Sequence, residues 1–355
     1  MYTYIIKRLL LLFPMLIGIT FISFLVMQLA PGGAGTGGGG GELAAGKLTK
    51  DQRDAMNRAF HLDKPIHLRY LYWLGVIQPK PTQEELAAAK EGKPIPWRGI
   101  IFGDFGPSME TRSIPVWQRL REAIPVTILL NVISFTVIYV LAIPIGVYSA
   151  THQNSLIDRT STVGLFMLFS LPSMFVGIML IKWMVSLPPE YRLPFQGVEP
   201  ANRDELTTLQ WLWGSIRHLI LPVITMSYAG LSVISRYMRA SMIDVIRADY
   251  IRTARAKGLP ETLVVYKHAL RNSLIPIITL LGGLLPSLIG GSVIIEAIFG
   301  VPGMGKLGYQ ALLARDYTVL MADITIIAIL VMLGFLISDL LYLAADPRIS
   351  FDEKG

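Results

Sequence analysis

The sequence contains no cysteine. That excludes disulfide cross-links, thiol nucleophiles and thiolate metal sites, so any exported part of the chain must be held by packing alone. Charge is scarce as well. Charged residues make up 16% of the 355 positions against 52% hydrophobic residues, and the mean hydropathy is +0.51. This balance excludes an ordinary soluble domain. The five histidines, His61, His67, His152, His218 and His268, are scattered, and neither H-E-x-x-H nor G-x-S-x-G occurs. The residues therefore give no catalytic, metal or cofactor site, and a membrane-embedded enzyme is disfavoured.

What is abundant is apolar length. Leu9 to Ala30 runs without a charge, and 22 residues of helix span about 33 Å, enough for a ~30 Å hydrocarbon layer. Further uncharged runs occupy Pro125–Ala150, Thr160–Ile181, Leu219–Ser235 and Ser273–Ile295, and a last run, Val319–Ala345, is interrupted only by Asp323 and Asp339. Six spans are expected. The first follows Lys7 and Arg8 but is longer than the ~7–15-residue core of a signal peptide, so it reads as a retained anchor. Asp323 and Asp339 lie sixteen residues apart on one run, about 24 Å along a helix. They cannot share a proton and read as markers of the two ends of that span. Lys182 reads as snorkelling at the outer end of the third span.

Basic residues near the span ends set the orientation. Segment 236–273 carries eight Lys and Arg residues against Asp244, Asp249 and Glu261, which predicts a cytoplasmic loop. Both termini then lie inside, and residues 31–121, 182–218 and 296–318 lie outside. Long exported stretches escape the charge rule, so the basic residues of 31–121 do not conflict. The glycine run at 32–41 reads as a flexible tether. The apolar stripe Met56, Phe60, Leu68, Leu71 and Leu74 suggests a small helical cap or a spacer. The net charge of +7 is explained by loops facing anionic headgroups and gives no reason to invoke nucleic acid.

Two glycine-rich stretches approach the G-x-x-x-x-G-K-[ST] phosphate loop. Gly41, Gly46 and Lys47 are followed by Leu48, and the stretch Gly300 to Lys306 is followed by Leu307. Both lack the metal-binding hydroxyl, and both are placed outside, away from any ATP pool. The chain is not expected to hydrolyse ATP.

The longest inside segment reads RYMRASMIDVIRADYIRTARAKGLPETLVVYKHALRNSLIP. Helix formers fill Ala240–Lys257, Gly258 suits a left-handed C′ residue, and Pro260 suits the first turn of a second helix. Ile243, Ile246, Tyr250, Ile251 and Ala254 recur at helical spacing with Arg247, Arg252, Arg255 and Lys257 to the sides. This basic amphipathic hairpin fits either lipid headgroups or a soluble partner.

The segment DYIRTARAKGLPETLVVYKHALRNSLIP resembles the cytoplasmic coupling loop of ABC importer membrane subunits, specifically the dipeptide and oligopeptide permease family. So do YIIKRLLLLFPMLIGITFISFLVMQLAPG, GGSVIIEAIFGVPGMGKLGYQALLARDYTVL and DPRISF. The Gly-rich insertion and the tail FDEKG resemble the branch associated with microcin C and short-peptide uptake. The general Glu-Ala-Ala pattern is replaced by Arg252, Thr253 and Ala254, and its later proline position by Arg271, while Gly258 is retained.

The resemblance implies an all-α polytopic fold of six transmembrane helices, the type I ABC importer permease, in a bacterial inner membrane. It implies an N-terminal anchor at 1–31, an external, mainly helical insertion at 32–121, a transmembrane domain at 122–345 holding the EAA loop at 236–273, and a cytoplasmic tail at 346–355. It implies as partners two ATPase subunits, a second homologous permease subunit, an external substrate-binding protein and a peptide substrate within the lipid bilayer. Nickel, glutathione and oligosaccharide carriers are similar at the membrane subunit. The ATPase-coupling residues it implies are Arg247, Tyr250, Arg252, Thr253, Ala254, Lys257 and Gly258. Pro144, Pro172, Pro222, Pro276 and Pro286, with Gly282-Gly283 and Gly290-Gly291, interrupt the spans. These breaks suit a moving pathway or the ordinary frequency of Pro and Gly in membrane helices. An ion-coupled transporter is the rival, but the uncharged runs place no ionisable group at mid-membrane to carry a coupling ion.

Overall fold

The computed structural model describes residues 2–29, 60, 62–77, 98–110, 114–282, 288 and 290–345. The glycine tether, the first near-phosphate loop, Met56, Gly283, Pro286 and the tail lie outside the described residues. Within them there is no strand, only one antiparallel bridge between Pro107 and Pro115. The long helices are α1 (Tyr2–Leu29), α3 (Val116–Thr151), α6 (Thr208–Ile246) and α13 (Tyr317–Ala345). All four are long and apolar enough to cross a membrane. Helices α4 (Leu156–Ser170) and α5 (Ser173–Ser186) form a bent pair at 98°, which makes five if the pair is one span. The expected straight span Thr160–Ile181 is therefore broken. Leu171 and Pro172 are extended, and Pro172, which cannot donate to the preceding turn, stands as N-cap of α5. The expected span 273–295 contributes α10 (Ile275–Gly282) and the start of α11 (Val293–Ile298), with 283–287 and 289 outside the described residues.

Proline does not break every span that carries it. Pro222 lies inside the unbroken α6, and Pro144 inside the unbroken α3. In a membrane helix the freed carbonyls are satisfied by neighbouring groups, which tolerates such prolines.

Contacts divide the chain into two compact units, 1–125 with 303–330, and 126–302 with 331–355. In the first unit, α1 is apolar all round and mostly exposed, as a lipid-facing helix must be, and buries only Thr20 and Phe24 among its described side chains. These meet the short helix α2 (Ile66–Leu74): the Tyr70 hydroxyl lies 2.9 Å from Thr20 Oγ1, and Tyr70 and Trp73 pack with Phe24 and Met321. Of the expected stripe, Phe60 is buried and Leu74 packs against this cluster, while Leu68 and Leu71 are half-buried beside the more deeply buried Tyr70 and Trp73. Pro65 caps α2 in an extended conformation, so the register counted from Phe60 does not continue into it. Helix α12 (Met304–Ala314) ends at Arg315 in the left-handed region. The fully buried Asp316 then caps α13, accepting from Val319 N at 3.2 Å, Thr318 Oγ1 at 2.7 Å and Met109 N at 3.1 Å. Asp323 does not mark the end of α13. It lies six residues beyond Tyr317, where a Cβ on Gly308 would come within 2.8 Å of its carboxylate.

The second unit is built on α3 crossing α6. A Cβ on Gly146 would lie 2.6 Å from Met238 Cβ, and one on Gly230 2.6 Å from Ile138 Cδ1, so these glycines set the approach of the two helices. Asp158, buried at the start of α4, accepts a two-point bond from Arg239 of α6 at 3.0 and 2.9 Å, and also accepts from Asn154 N at 3.0 Å. On the other side of this core, Ile295 and Phe299 pack with Leu130, Leu219, Leu221 and Met184.

Candidate functional site

The basic hairpin is a packed structure. Helix α6 ends at Ile246, and α7 (Asp249–Ala256) begins after Arg247 and Ala248. The continuous helix expected over Ala240–Lys257 is therefore broken. Ala248 is extended at the N-cap, and the acidic Asp249 in the first turn suits the new helix dipole. Lys257 closes α7 and Gly258 follows with φ +74, the left-handed C′ conformation expected of it. No atom lies within 4 Å of a Cβ built on Gly258. The demand there is on the backbone alone, not on space.

Pro260 stands one position earlier than expected, as the extended N-cap of α8 (Glu261–Leu263). A π-helical turn over Val264–Ala269 and α9 (Leu270–Ser273) continue the return limb. One face of the hairpin is fully sunk: Ile251, Ala254, Val264, Val265 and Ala269 join Met238 and Met242 of α6 and Ala142, Val147 and Ala150 of α3 in one apolar cluster. Ser241 Oγ donates to Ser273 O at 2.9 Å, and Asn272 Nδ2 donates to the Tyr250 hydroxyl at 2.9 Å. The hairpin is thereby tied at its root to α6 and between its own limbs.

The other face is open. Arg247, Tyr250, Arg252, Thr253, Lys257 and Gly258 are exposed, and of the seven residues implied for coupling only Ala254 is buried. Ala254 is a packing residue, because the helical period turns it under α7 beside Ile251. Arg252 makes only a 3.3 Å pair with Asp249, both exposed, which contributes little. Leu263, Tyr266 and Lys267 extend the exposed face onto the return limb. Sequence reading missed them, because a π-turn shifts the period by one residue and spoils the 3.6-residue count.

Arg255 and Glu261 form a two-point polar link across the turn, at 2.7 and 3.1 Å. The Arg255 guanidinium holds the Glu261 carboxyl below its usual range, and that carboxylate pushes Arg255 up. The hairpin is packed on one face and presents an exposed tip of basic and aromatic groups on the other. Among the described residues no group of three or more His, Asp or Glu is placed to hold a metal ion. The second glycine-rich loop follows the helix Val293–Ile298, not a strand, so it lacks the strand-to-helix setting of a phosphate loop.

Comparison with known proteins agrees with this architecture. Residues 142–351 match the family of binding-protein-dependent transport system inner membrane components. The oligopeptide transport system permease protein AppB of Bacillus subtilis is 37% identical over 99% of this chain and 100% of its own length. The dipeptide transport system permease protein DppB is 32% identical in Lactococcus lactis, over 98% of this chain and 99% of its own, and 33% identical in Escherichia coli K12 over the same shares. A chain of the MetNI methionine ABC transporter, solved in inward-facing form, superposes with TM-score 0.50 at 18% identity, covering 65% of this chain and 97% of that one. This last likeness speaks for the fold. The chain belongs to the family of binding-protein-dependent transport system inner membrane components and is a multi-pass permease subunit.

Proposed function

We propose that the chain forms half of the translocation pathway of an ATP-driven importer for peptides, which an external binding protein delivers. A second homologous permease subunit completes the pathway, and two ATPase subunits sit beneath. Both termini lie in the cytoplasm, the anchor and the insertion precede the transmembrane domain as the sequence suggests, and ATP hydrolysis belongs to the separate ATPase subunits. Full-length identity to permeases named for oligopeptides and dipeptides supports the cargo class.

The observation that carries the coupling assignment is the hairpin's two-sidedness. Its underside is locked into α3 and α6 through Ile251, Val264 and Ala269, none of which has any exposed surface. Its upper side offers Arg247, Tyr250, Arg252, Thr253, Lys257 and Gly258. Closure of the ATPase pair around ATP would push on this tip. Because the buried face cannot slide without opening the cluster, the push is delivered to α3 and α6 as a rigid displacement. Ala254 takes part by holding the tip down. At the 98° break between α4 and α5 the Leu171 carbonyl accepts from the Tyr228 hydroxyl of α6 at 2.6 Å, so the irregular backbone is satisfied within the chain.

The test is purification from native membranes followed by uptake in proteoliposomes. ATPase subunits should co-purify, and peptide uptake should require ATP and the binding protein. Uptake by the lone chain would contradict the proposed function.

A further inference from the structure

We infer that loop 182–218 carries a carboxylate-binding pocket that receives an acidic side chain of the external binding protein. The inference rests on the outward placement of that loop proposed above. The pocket is an open recess of about 480 Å³, with Arg192, Arg217 and His218 on its lining and Pro189, Pro194 and Pro200 as stiff walls. Both guanidinium groups are oriented by neutral acceptors: Arg192 Nε donates to Leu187 O at 2.7 Å, and Arg217 Nη2 donates to Arg192 O at 3.0 Å. Carbonyls aim a guanidinium but leave its charge uncompensated. One of five N–H donors is used in each, so a two-point face remains for a carboxylate. The acid on the lining, Glu190, makes no ion pair with either arginine.

The pocket is preformed. Gly214 lets Pro200 approach so closely that a Cβ there would lie 2.4 Å from its Cγ. Thr207 and Gln210 close a capping box on α6, Trp211 Nε1 donates to Glu199 at 3.0 Å, and Gly197 N donates to Phe299 O at 2.9 Å. One acid of this loop that could have competed, Glu199, is thereby committed elsewhere: it holds Trp211 and pairs with Arg203 at 3.7 Å. Two cations oriented by carbonyls in a proline-walled recess offer an anionic knob two points of attachment. The anionic knob that must reach this side of a binding-protein-dependent permease is on the binding protein, where charge complementarity speeds docking and fixes its register.

The test uses the whole importer, with its ATPase subunits, in nanodiscs of zwitterionic phosphatidylcholine, titrated with the binding protein. The double variant Arg192→Gln/Arg217→Gln should weaken binding-protein affinity roughly tenfold at low salt and flatten its salt dependence. ATPase co-purification should be unchanged, and the Arg192→Lys/Arg217→Lys pair should recover part of the affinity. Unchanged affinity and salt dependence would overturn the pocket assignment alone. So would a defect seen only when phosphatidylglycerol is added, which would assign the pocket to a lipid phosphate. Failure of the unmodified chain to retain ATPase subunits would overturn the underlying functional reading instead.

Discussion

Arg255 and Glu261 face each other across the Gly258 turn, with Nη2 and Nε of the guanidinium donating to the two carboxylate oxygens at 2.7 and 3.1 Å. The pair joins the last turn of α7 to the first residue of α8 and fixes the angle at which the hairpin tip is presented. Both side chains are more than a third exposed, so solvent screening limits the contribution to about 0–1 kcal/mol.

Its pH dependence follows from the depressed Glu261 carboxyl. A group whose folded value lies below its unfolded value, ~4.3 for glutamate, contributes stability that is complete above the unfolded value and is lost as pH falls through the folded one. Hydrogen exchange at the 257–263 amides should therefore be flat from neutral pH to about 5, apart from its intrinsic rate. Opening of the turn should begin only below ~4.3. Glu261→Gln should abolish that step and mildly raise exchange at every pH. A step centred near pH 6 would refute the assignment to Glu261.

Asp158 and Arg239 make the heavier pair. Asp158 is buried and Arg239 is partly covered, so Asp158→Ala strands a cation and leaves Asn154 N without its acceptor. A loss of about 2–3 kcal/mol is expected, read as a lowered unfolding temperature in detergent. Asp158→Asn should lose less, because it keeps an acceptor. Equal and negligible losses in both variants would show that the pair is solvated.

Much of this was legible in the sequence and some could not be. Gly258 stood out because a glycine closing a helix-forming run has one common backbone use, and its φ of +74 agrees. The stops at Arg247 and Ala248 carried no such mark: neither residue is a helix breaker, and the break exists because Ile251 and Ala254 must turn under toward Val264. The Asp158–Arg239 pair joins positions 81 residues apart, beyond any local pattern. Pro172 was visible as an interruption, but the 98° bend depends on what α4 and α5 each pack against. Pro144 and Pro222 looked the same in sequence and leave their helices whole.

The topology has a direct check, since the chain has no native cysteine. Gly38→Cys and Lys257→Cys would each be a unique label site. An impermeant thiol reagent on intact spheroplasts should label Gly38→Cys and spare Lys257→Cys. The reverse pattern would invert the orientation and remove the hairpin from the ATPase side.

The most direct test of the coupling claim is uptake by the Gly258→Val protein, measured beside co-purification of the ATPase subunits. With open space around the position, the substitution is penalised only by the left-handed backbone, roughly 1–2 kcal/mol. It should insert normally, because no span is altered, and then tilt the return limb away from its docking angle. ATP-driven uptake should be lost and ATPase attachment weakened, with Arg252→Ala doing much less. Normal uptake with fully retained ATPase in the Gly258→Val protein would contradict the coupling claim.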